Sequence, residues 1–290
     1  MLELIVNPIA GGKNGKRMKK NLALIESRLT ERNVQYAISR SEKKGDIKTI
    51  ARDLVNSGAT EIVCVGGDGS LHEVINGIDD LSKINLGLVP CGTGNDFANA
   101  IKLPTDPVKA IDLIIDGTPK YTDYLQLPTV RCINIAGIGI DVEVLKKYEA
   151  LKKKTKFGYT RCLVKTLLNF DFTDFTAEYD GKKEKYRSFI ACVANGITYG
   201  GGIPICPVAD PADHLLDFVA VKEIRGLKII GAFLKLKKGN ILTLKQSFHA
   251  RAEKISIGTE IPCTVNVDGE LYENIPFSVE TVSDRLKMYR

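Results

Sequence analysis

Val63-Cys64-Val65-Gly66-Gly67-Asp68-Gly69-Ser70-Leu71-His72-Glu73-Val74 runs from an apolar strand through three glycines set around one aspartate into a helical pattern. A phosphate needs close backbone approach without Cβ atoms, free N–H donors and the positive end of a following helix. Gly66, Gly67 and Gly69 meet the first need. Ser70, with Glu73 three residues on, has the spacing of a capping box and places the helix start there. Asp68 is the odd member, because an acid beside phosphates repels them unless a cation lies between; a magnesium nucleotide answers that need. Taken alone, the stretch reads equally well as a tight strand-to-helix turn whose aspartate only caps.

Working outward, two further glycine-rich loops shift the balance toward phosphate. Leu2 to Val6 reads as a strand leading into Asn7-Pro8-Ile9-Ala10-Gly11-Gly12-Lys13-Asn14-Gly15, then a basic amphipathic helix with Met18, Leu22, Ile25 and Leu29 on one face. A strand near 34–39 precedes Ser41 to Asp46 and a helix through about 57, and the strand at 86–89 ends in Pro90-Cys91-Gly92-Thr93-Gly94-Asn95-Asp96-Phe97-Ala98. Three such loops leave the carboxyl ends of three strands, the edge where open α/β sheets bind ligands. For Asp96 the residues alone also allow a helix N-cap.

Strand and helix patterns alternate up to about residue 120, which predicts an α/β domain with a layered, mostly parallel sheet. Beyond Tyr121 the chain turns to β-branched segments at 130–136, 175–180, 186–195, 217–223, 247–257 and 262–268, punctuated by Asp180-Gly181 and Asp268-Gly269. A mainly antiparallel β domain with helices near 142–152, 158–169 and 226–238 follows. The expected domains are 1–123 and 124–290. Whether residues 281–290 return to the first domain is not legible.

At 290 residues the chain is long enough for two cores. Its seven cysteines form no C-x-x-C pair and sit mostly in apolar runs, so they are expected to be reduced and buried. With no h-region and no long apolar run, a cytoplasmic protein is expected. The formal net charge is +6, and Lys146, Lys147, Lys152, Lys153, Lys154, Lys156, Arg161 and Lys165 form a patch opposed there by Glu149 alone. Such a patch attracts anionic lipid headgroups or nucleic acid, or is a solvated helix face. No nucleic-acid motif is present, so no nucleic-acid partner is expected.

Asn7-Pro8 with Gly11, Gly67-Asp68-Gly69-Ser70-Leu71 with Glu73 and Asn76-Gly77, Pro90-x-Gly92-Thr93-x-Asn95-Asp96-Phe97-Ala98, and Asp268-Gly269-Glu270 together resemble the soluble bacterial diacylglycerol kinase and related lipid kinase family, from residue 3 to about 280. The resemblance implies an N-terminal domain like those of NAD kinases and phosphofructokinases, a C-terminal β-sandwich, and a cleft where ATP meets a lipid hydroxyl. Carried over by position, Asn7, Pro8, Ile9, Ala10, Gly11, Ser41, Gly67, Asp68, Gly69, Ser70, Leu71, His72, Glu73 and Thr93 would hold ATP. Without the resemblance Ser41 is an ordinary turn residue. Asp68, Asp96 and Asp123 would form an acidic network with Mg²⁺, and Glu270 would accept the attacking hydroxyl's proton with Asp268 as partner or rival. Asp268 and Glu270 would lie on one side of an extended strand; as bare sequence, Asp-Gly reads first as a hairpin turn. A structural Mg²⁺ is implied at the Asp213 side chain and the carbonyls of Asp210 and Leu215, although His214 stands where the family usually has glycine and Asp217 is a fallback ligand. His72, His214 and His249 read as surface imidazoles.

The implied activity is ATP-dependent phosphorylation of a lipid hydroxyl at the membrane surface, first diacylglycerol to phosphatidic acid. Phosphatidylglycerol or a sphingoid base is the alternative acceptor. NAD kinase and a non-catalytic nucleotide-binding module are the competing readings, and a homodimer is left open.

Overall fold

Leu2–Val6 forms β1 and is buried at all five positions, Glu3 included, as fits a strand covered on both faces. The computed structural model describes residues 1–12, 15–151, 156–167, 170, 172–226, 228–260 and 263–290. Contacts group the chain into two units, Met1–Asp123 with Ser283–Arg290, and Tyr124–Val282.

In the first unit β1 is followed by α1 (Lys16–Glu31), β2 (Tyr36–Arg40), α2 (Asp46–Asn56), β3 (Glu61–Gly66), α3 (Asp68–Gly77), β4 (Asn85–Pro90), α4 (Asp96–Ala100), α5 (Pro107–Asp116) and the start of β5 (Lys120–Gln126). The pairs β1–β2, β1–β3 and β3–β4 are all parallel. The apolar stripe of α1 is buried where the periodicity puts it, at Met18, Leu22, Ile25 and Leu29. It packs with Leu4, Val6, Val63, Val65 and the α5 residues Ile111 and Ile114. Each such aliphatic side chain contributes about 1.5–3 kcal/mol when fully buried. Asp106 caps α5, its Oδ1 accepting from the Val108 and Lys109 N–H groups.

The second unit contains the rest of β5, β6 (Arg131–Cys132), β7 (Ile135–Gly139), α6 (Ile140–Glu149), α7 (Lys156–Leu167), β8 (Thr173–Tyr179), β9 (Lys182–Ala194), β10 (Thr198–Tyr199), β11 (Ile203–Pro204), β12 (Leu216–Lys222), α8 (Lys228–Lys237), β13 (Ser247–Ala252), β14 (Lys254–Thr259), β15 (Thr264–Val267), β16 (Glu270–Glu273) and most of β17 (Phe277–Met288). The thirteen-residue β9 pairs antiparallel with β7, β8 and β12. One sheet face buries a core that includes Phe175, Tyr179, Tyr186 and Phe218. The other is covered by residues of α6, α7 and α8. The architecture is a largely parallel α/β region followed by a β-sandwich-like antiparallel region. The expected strand 247–257 is two strands broken at Glu253, and β16 and β17 were not foreseen.

The chain's last residues lie in the first unit. Lys287 and Met288 pair in parallel with Asn85 and Leu86 of β4. The Tyr289 hydroxyl donates to Glu61 Oε2 at 2.7 Å, and Arg290 donates to Thr122 Oγ1 and the Tyr121 carbonyl at 3.0 and 2.8 Å.

Candidate active site

The loops after β1, β3 and β4 converge in the first unit because their parallel strands end in register, Val6 beside Val65 and Gly66 beside Pro90. A Cβ added at Gly67 would lie 2.8 Å from Gly92 Cα, and one at Gly92 would lie 2.6 Å from Gly67 Cα, so only glycine fits on either side. A Cβ at Gly11 would come within 2.6 Å of the Cys91 carbonyl oxygen. Hydrogen bonds tie the same loops. Asn7 Nδ2 donates to Ser70 Oγ at 2.9 Å and Cys91 N donates to the Gly66 carbonyl at 2.6 Å. Ser41 closes β2, its N–H donating to the Val6 carbonyl at 3.0 Å. Glu73 accepts from Gly45 N with both oxygens, each at 3.1 Å. Gly69 stands apart, since an added Cβ there meets nothing within 4 Å.

Helix α3 starts at Asp68 with Gly67 as its N-cap, not at Ser70. Ser70 Oγ accepts from Asn7 and Glu73 is turned to Gly45, so the capping box does not form. At α4 the N-cap is Asn95, at φ +54°, rather than Asp96. Asp68 itself reaches across, its Oδ1 accepting from Phe97 N at 3.1 Å. Asp96 and Asp123 are both buried, at 5% and 1% exposure. Leu71 and His72 are buried too, which overturns the surface reading of His72 and leaves mainly main-chain groups for a ligand at those positions. Thr93 and Ile9 are exposed.

In the second unit Asp268-Gly269 is the hairpin turn between β15 and β16, with Val267 opposite Glu270 and positive φ at both turn residues, +54° and +91°. The expectation of two carboxylates side by side on an extended strand is therefore wrong: Asp268 is in the left-handed region. Its carboxylate accepts from Ile133 N and Asn134 N at 2.9 Å each, from Ile135 N at 3.3 Å, and from Cys132 Sγ at 3.1 Å. Burial, and then the nearby Asp268 charge, push the Cys132 thiol well up. Glu270 follows the turn, partly exposed. The turn is braced by Gly269 N donating to Asn266 Oδ1 at 3.0 Å, while Asn266 Nδ2 donates to the buried Asp141 at 3.1 Å. Asp268 and residues 133–135, like Asn266 and Asp141, lie more than a hundred positions apart, and sequence spacing carries no signal for these contacts.

The loop proposed for a structural magnesium holds itself together. Asp210 Oδ1 accepts from Ala212 N and Asp213 Oδ1 from Leu215 N, both at 3.1 Å, and the Asp213 carboxylate is paired with Arg251. His214 does take a left-handed conformation, φ +65°, at the position where glycine was expected. The Leu215 N–H and the Arg251 guanidinium each take one acceptor position of the Asp213 carboxylate. His249 is not a free surface imidazole: its Nε2 is 2.5 Å from Asp217 Oδ1.

Of the basic patch, Lys152, Lys153 and Lys154 lie outside the described residues. Lys146 pairs with Glu143 at 3.1 Å, Lys147 donates to Thr166 Oγ1, and Arg161 and Lys165 are exposed. Six cysteines are buried and free, and Cys263 is half-buried. Among the described residues no helix is long and apolar enough to cross a membrane.

Residues 1–127 match the diacylglycerol kinase catalytic domain, and residues 134–290 match the YegS C-terminal NAD kinase beta sandwich-like domain. The chain belongs to the diacylglycerol kinase and YegS-like lipid kinase family. A probable lipid kinase YegS-like protein of Stenotrophomonas maltophilia (strain K279a) is 31% identical over 268 residues, covering 88% of this chain and 87% of that one. A relative in Bacillus subtilis (strain 168), named "Putative lipid kinase YtlR", is 28% identical over 309 residues, covering 98% and 97%. A crystal structure from Bacillus anthracis str. Sterne, described as a "putative diacylglycerol kinase", superposes with a TM-score of 0.82 at 26% identity over 99% of this chain and 96% of that one. Family membership makes the chain a kinase.

Proposed function

We propose that this kinase transfers the γ-phosphate of ATP to a lipid hydroxyl, with diacylglycerol as the first acceptor and phosphatidic acid as the product. The observation that carries the reading is the mutual contact of three glycine-rich loops after β1, β3 and β4, at Gly11, Gly67 and Gly92. Backbone packed that tightly offers main-chain N–H donors to phosphate oxygens with no side chains in the way. Gly69, facing open space at the first turn of α3, is where a phosphate would approach. The ATP set is then Asn7 to Gly11, Ser41, Gly67 to Glu73 and Thr93, with Asn7 and Glu73 acting chiefly by bracing the loops.

Asp68, Asp96 and Asp123 present only carboxylate oxygens, a donor set that suits a hard dication such as Mg²⁺. Bound there, it would supply charge neutralisation for the phosphates. No step is assigned to the 210–215 loop.

Glu270 is the proposed proton acceptor and Asp268 a positioning residue. A carboxylate accepting three main-chain N–H bonds is a poor base, because those bonds favour its ionised form. Instead it fixes the 132–135 segment and the turn from which Glu270 projects. The chemistry requires the hydroxyl at Glu270 to reach the γ-phosphate in line.

The test is to supply labelled ATP with vesicles of diacylglycerol, phosphatidylglycerol or sphingosine, or with NAD, and identify the labelled product. Labelled phosphatidic acid is expected. Label on NAD alone would replace the reading with NAD phosphorylation, in keeping with the NAD kinase-like description of the second domain.

A further inference from the structure

Cys206, Asp217 and His249 come from three separate elements of the second unit: the loop after β11, strand β12 and strand β13. The Cys206 sulfur, a carboxylate oxygen of Asp217 and a ring nitrogen of His249 all lie within 4.8 Å of one another. Asp217 is 1% exposed and His249 28%, so the cluster is closed on the sheet side and reachable past the imidazole. Asp217 and His249 sit diagonally across the β12–β13 ladder, in which Asp217 opposes Arg251 and Val219 opposes His249. Their separation of 2.5 Å is therefore set by the sheet rather than by a flexible loop.

The thiol is held as a ligand would be. In the turn Cys206-Pro207-Val208-Ala209 the Ala209 N–H donates to the Cys206 carbonyl at 3.2 Å, which fixes the backbone that carries the thiol. A buried thiol beside a buried carboxylate is otherwise a poor arrangement.

We propose that Cys206, Asp217 and His249 form a binding site for a thiophilic divalent cation of the zinc class, distinct from the magnesium that serves ATP. One thiolate and one carboxylate balance a dication, and the neighbouring Asp213–Arg251 pair is already neutral. Arg251, with Nε 3.9 Å from Asp217 Oδ1, is the competing partner, and its pairing with Asp213 draws it away. Tetrahedral zinc with S, N and O ligands sets them about 3.3–3.6 Å apart. Side-chain rotation suffices to open the Asp217–His249 contact and draw in the sulfur. Binding forms a metal–sulfur bond and releases the thiol proton to solvent; nothing is oxidised or reduced. Hard cations do not select a thiolate, which excludes magnesium here. The fourth position, on the His249 side, is left for water. The cation ties the 206–215 loop to β12 and β13.

The test uses the full, untagged, reduced and metal-stripped protein titrated with Co²⁺. One equivalent is expected to give a near-ultraviolet sulfur-to-cobalt charge-transfer band with tetrahedral d–d bands, displaced by Zn²⁺ and untouched by excess Mg²⁺. Cys206→Ser should abolish the charge-transfer band, and His249→Gln should weaken binding by about tenfold or more. Zn²⁺ should raise the melting temperature of the wild type and much less that of His249→Gln, which decides the matter even if Cys206→Ser does not fold. No band in the wild type, a band persisting in Cys206→Ser, or an equal Zn²⁺ shift in His249→Gln overturns the site. None of these readouts involves phosphoryl transfer, so the outcome is separate from that of the lipid kinase reading.

Discussion

Gly67 and Gly69 are two residues apart and both belong to the motif that opens the chain's reading, yet the structure gives them different work. Alanine at Gly67 drives a methyl into Gly92 Cα at 2.8 Å, main chain against main chain, which costs about 1–3 kcal/mol. Alanine at Gly69 meets nothing and removes a helix glycine, so Gly69→Ala should hold or raise stability by up to about 1 kcal/mol. If Gly69 faces the phosphates, that variant nevertheless loses ATP affinity. Denaturant melts together with nucleotide titrations of both variants separate the two roles. Asp141 makes a second prediction at this scale. Burial raises its carboxyl to about 6, the Asn266 bond opposing, and its Oδ1 has no hydrogen-bond partner among the described residues. The unfolded chain ionises this group near pH 4, whereas the folded chain holds the proton to about pH 6. Its stabilising contribution is therefore complete below about pH 4 and lost as the pH rises through 6. Asp141→Asn should melt higher than the wild type at pH 7, by about 2–3 kcal/mol, with the difference closing toward pH 4. A constant difference across that range would contradict the burial argument.

At the scale of elements, legibility followed locality. The α1 stripe, the parallel strands and the loops at their ends were written in periodicity and glycine spacing, because each depends on neighbours within a few residues. The start of α3 departs from cap spacing because Ser70 and Glu73 are claimed by Asn7 and Gly45, partners in other elements. At Asp268 the hairpin turn that Asp-Gly signals is present, and it positions the carboxylate for the N–H groups of 133–135, contacts no spacing shows. The imidazole of His249 found Asp217 only through the β12–β13 ladder. β17 is the clearest omission. Its sequence alternates weakly, yet its end pairs with β4 and delivers Tyr289 to Glu61 and Arg290 to Thr122. Removing residues 287–290 should therefore destabilise the first unit, whose hydrogen exchange at β4 should rise; unchanged protection of Leu86 would show the strand end to be dispensable.

For the molecule as a whole, family membership and the converging loops account for a kinase, while the acceptor and the surface on which it works are read from chemistry. A net charge of +6 with exposed Arg161 and Lys165 predicts electrostatic association with anionic vesicles. Sedimentation with such vesicles should fall as salt shortens the screening length from about 10 Å at 0.1 M to about 3 Å at 1 M, and should fall further with Arg161→Glu and Lys165→Glu together. Salt-independent sedimentation would assign those side chains to a solvated helix face. Phosphoryl transfer to lipid, with Glu270 as the proposed proton acceptor, joins the two units' chemistry in one reaction. Its direct measurement is the transfer of label from the γ-phosphate of ATP into the lipid fraction of diacylglycerol vesicles, comparing wild type with Glu270→Gln at equal ATP affinity. Labelled phosphatidic acid is expected from the wild type, with a rate lower by about 10²–10⁴-fold for Glu270→Gln. Equal rates for the two proteins, or no lipid label from the wild type, would contradict it.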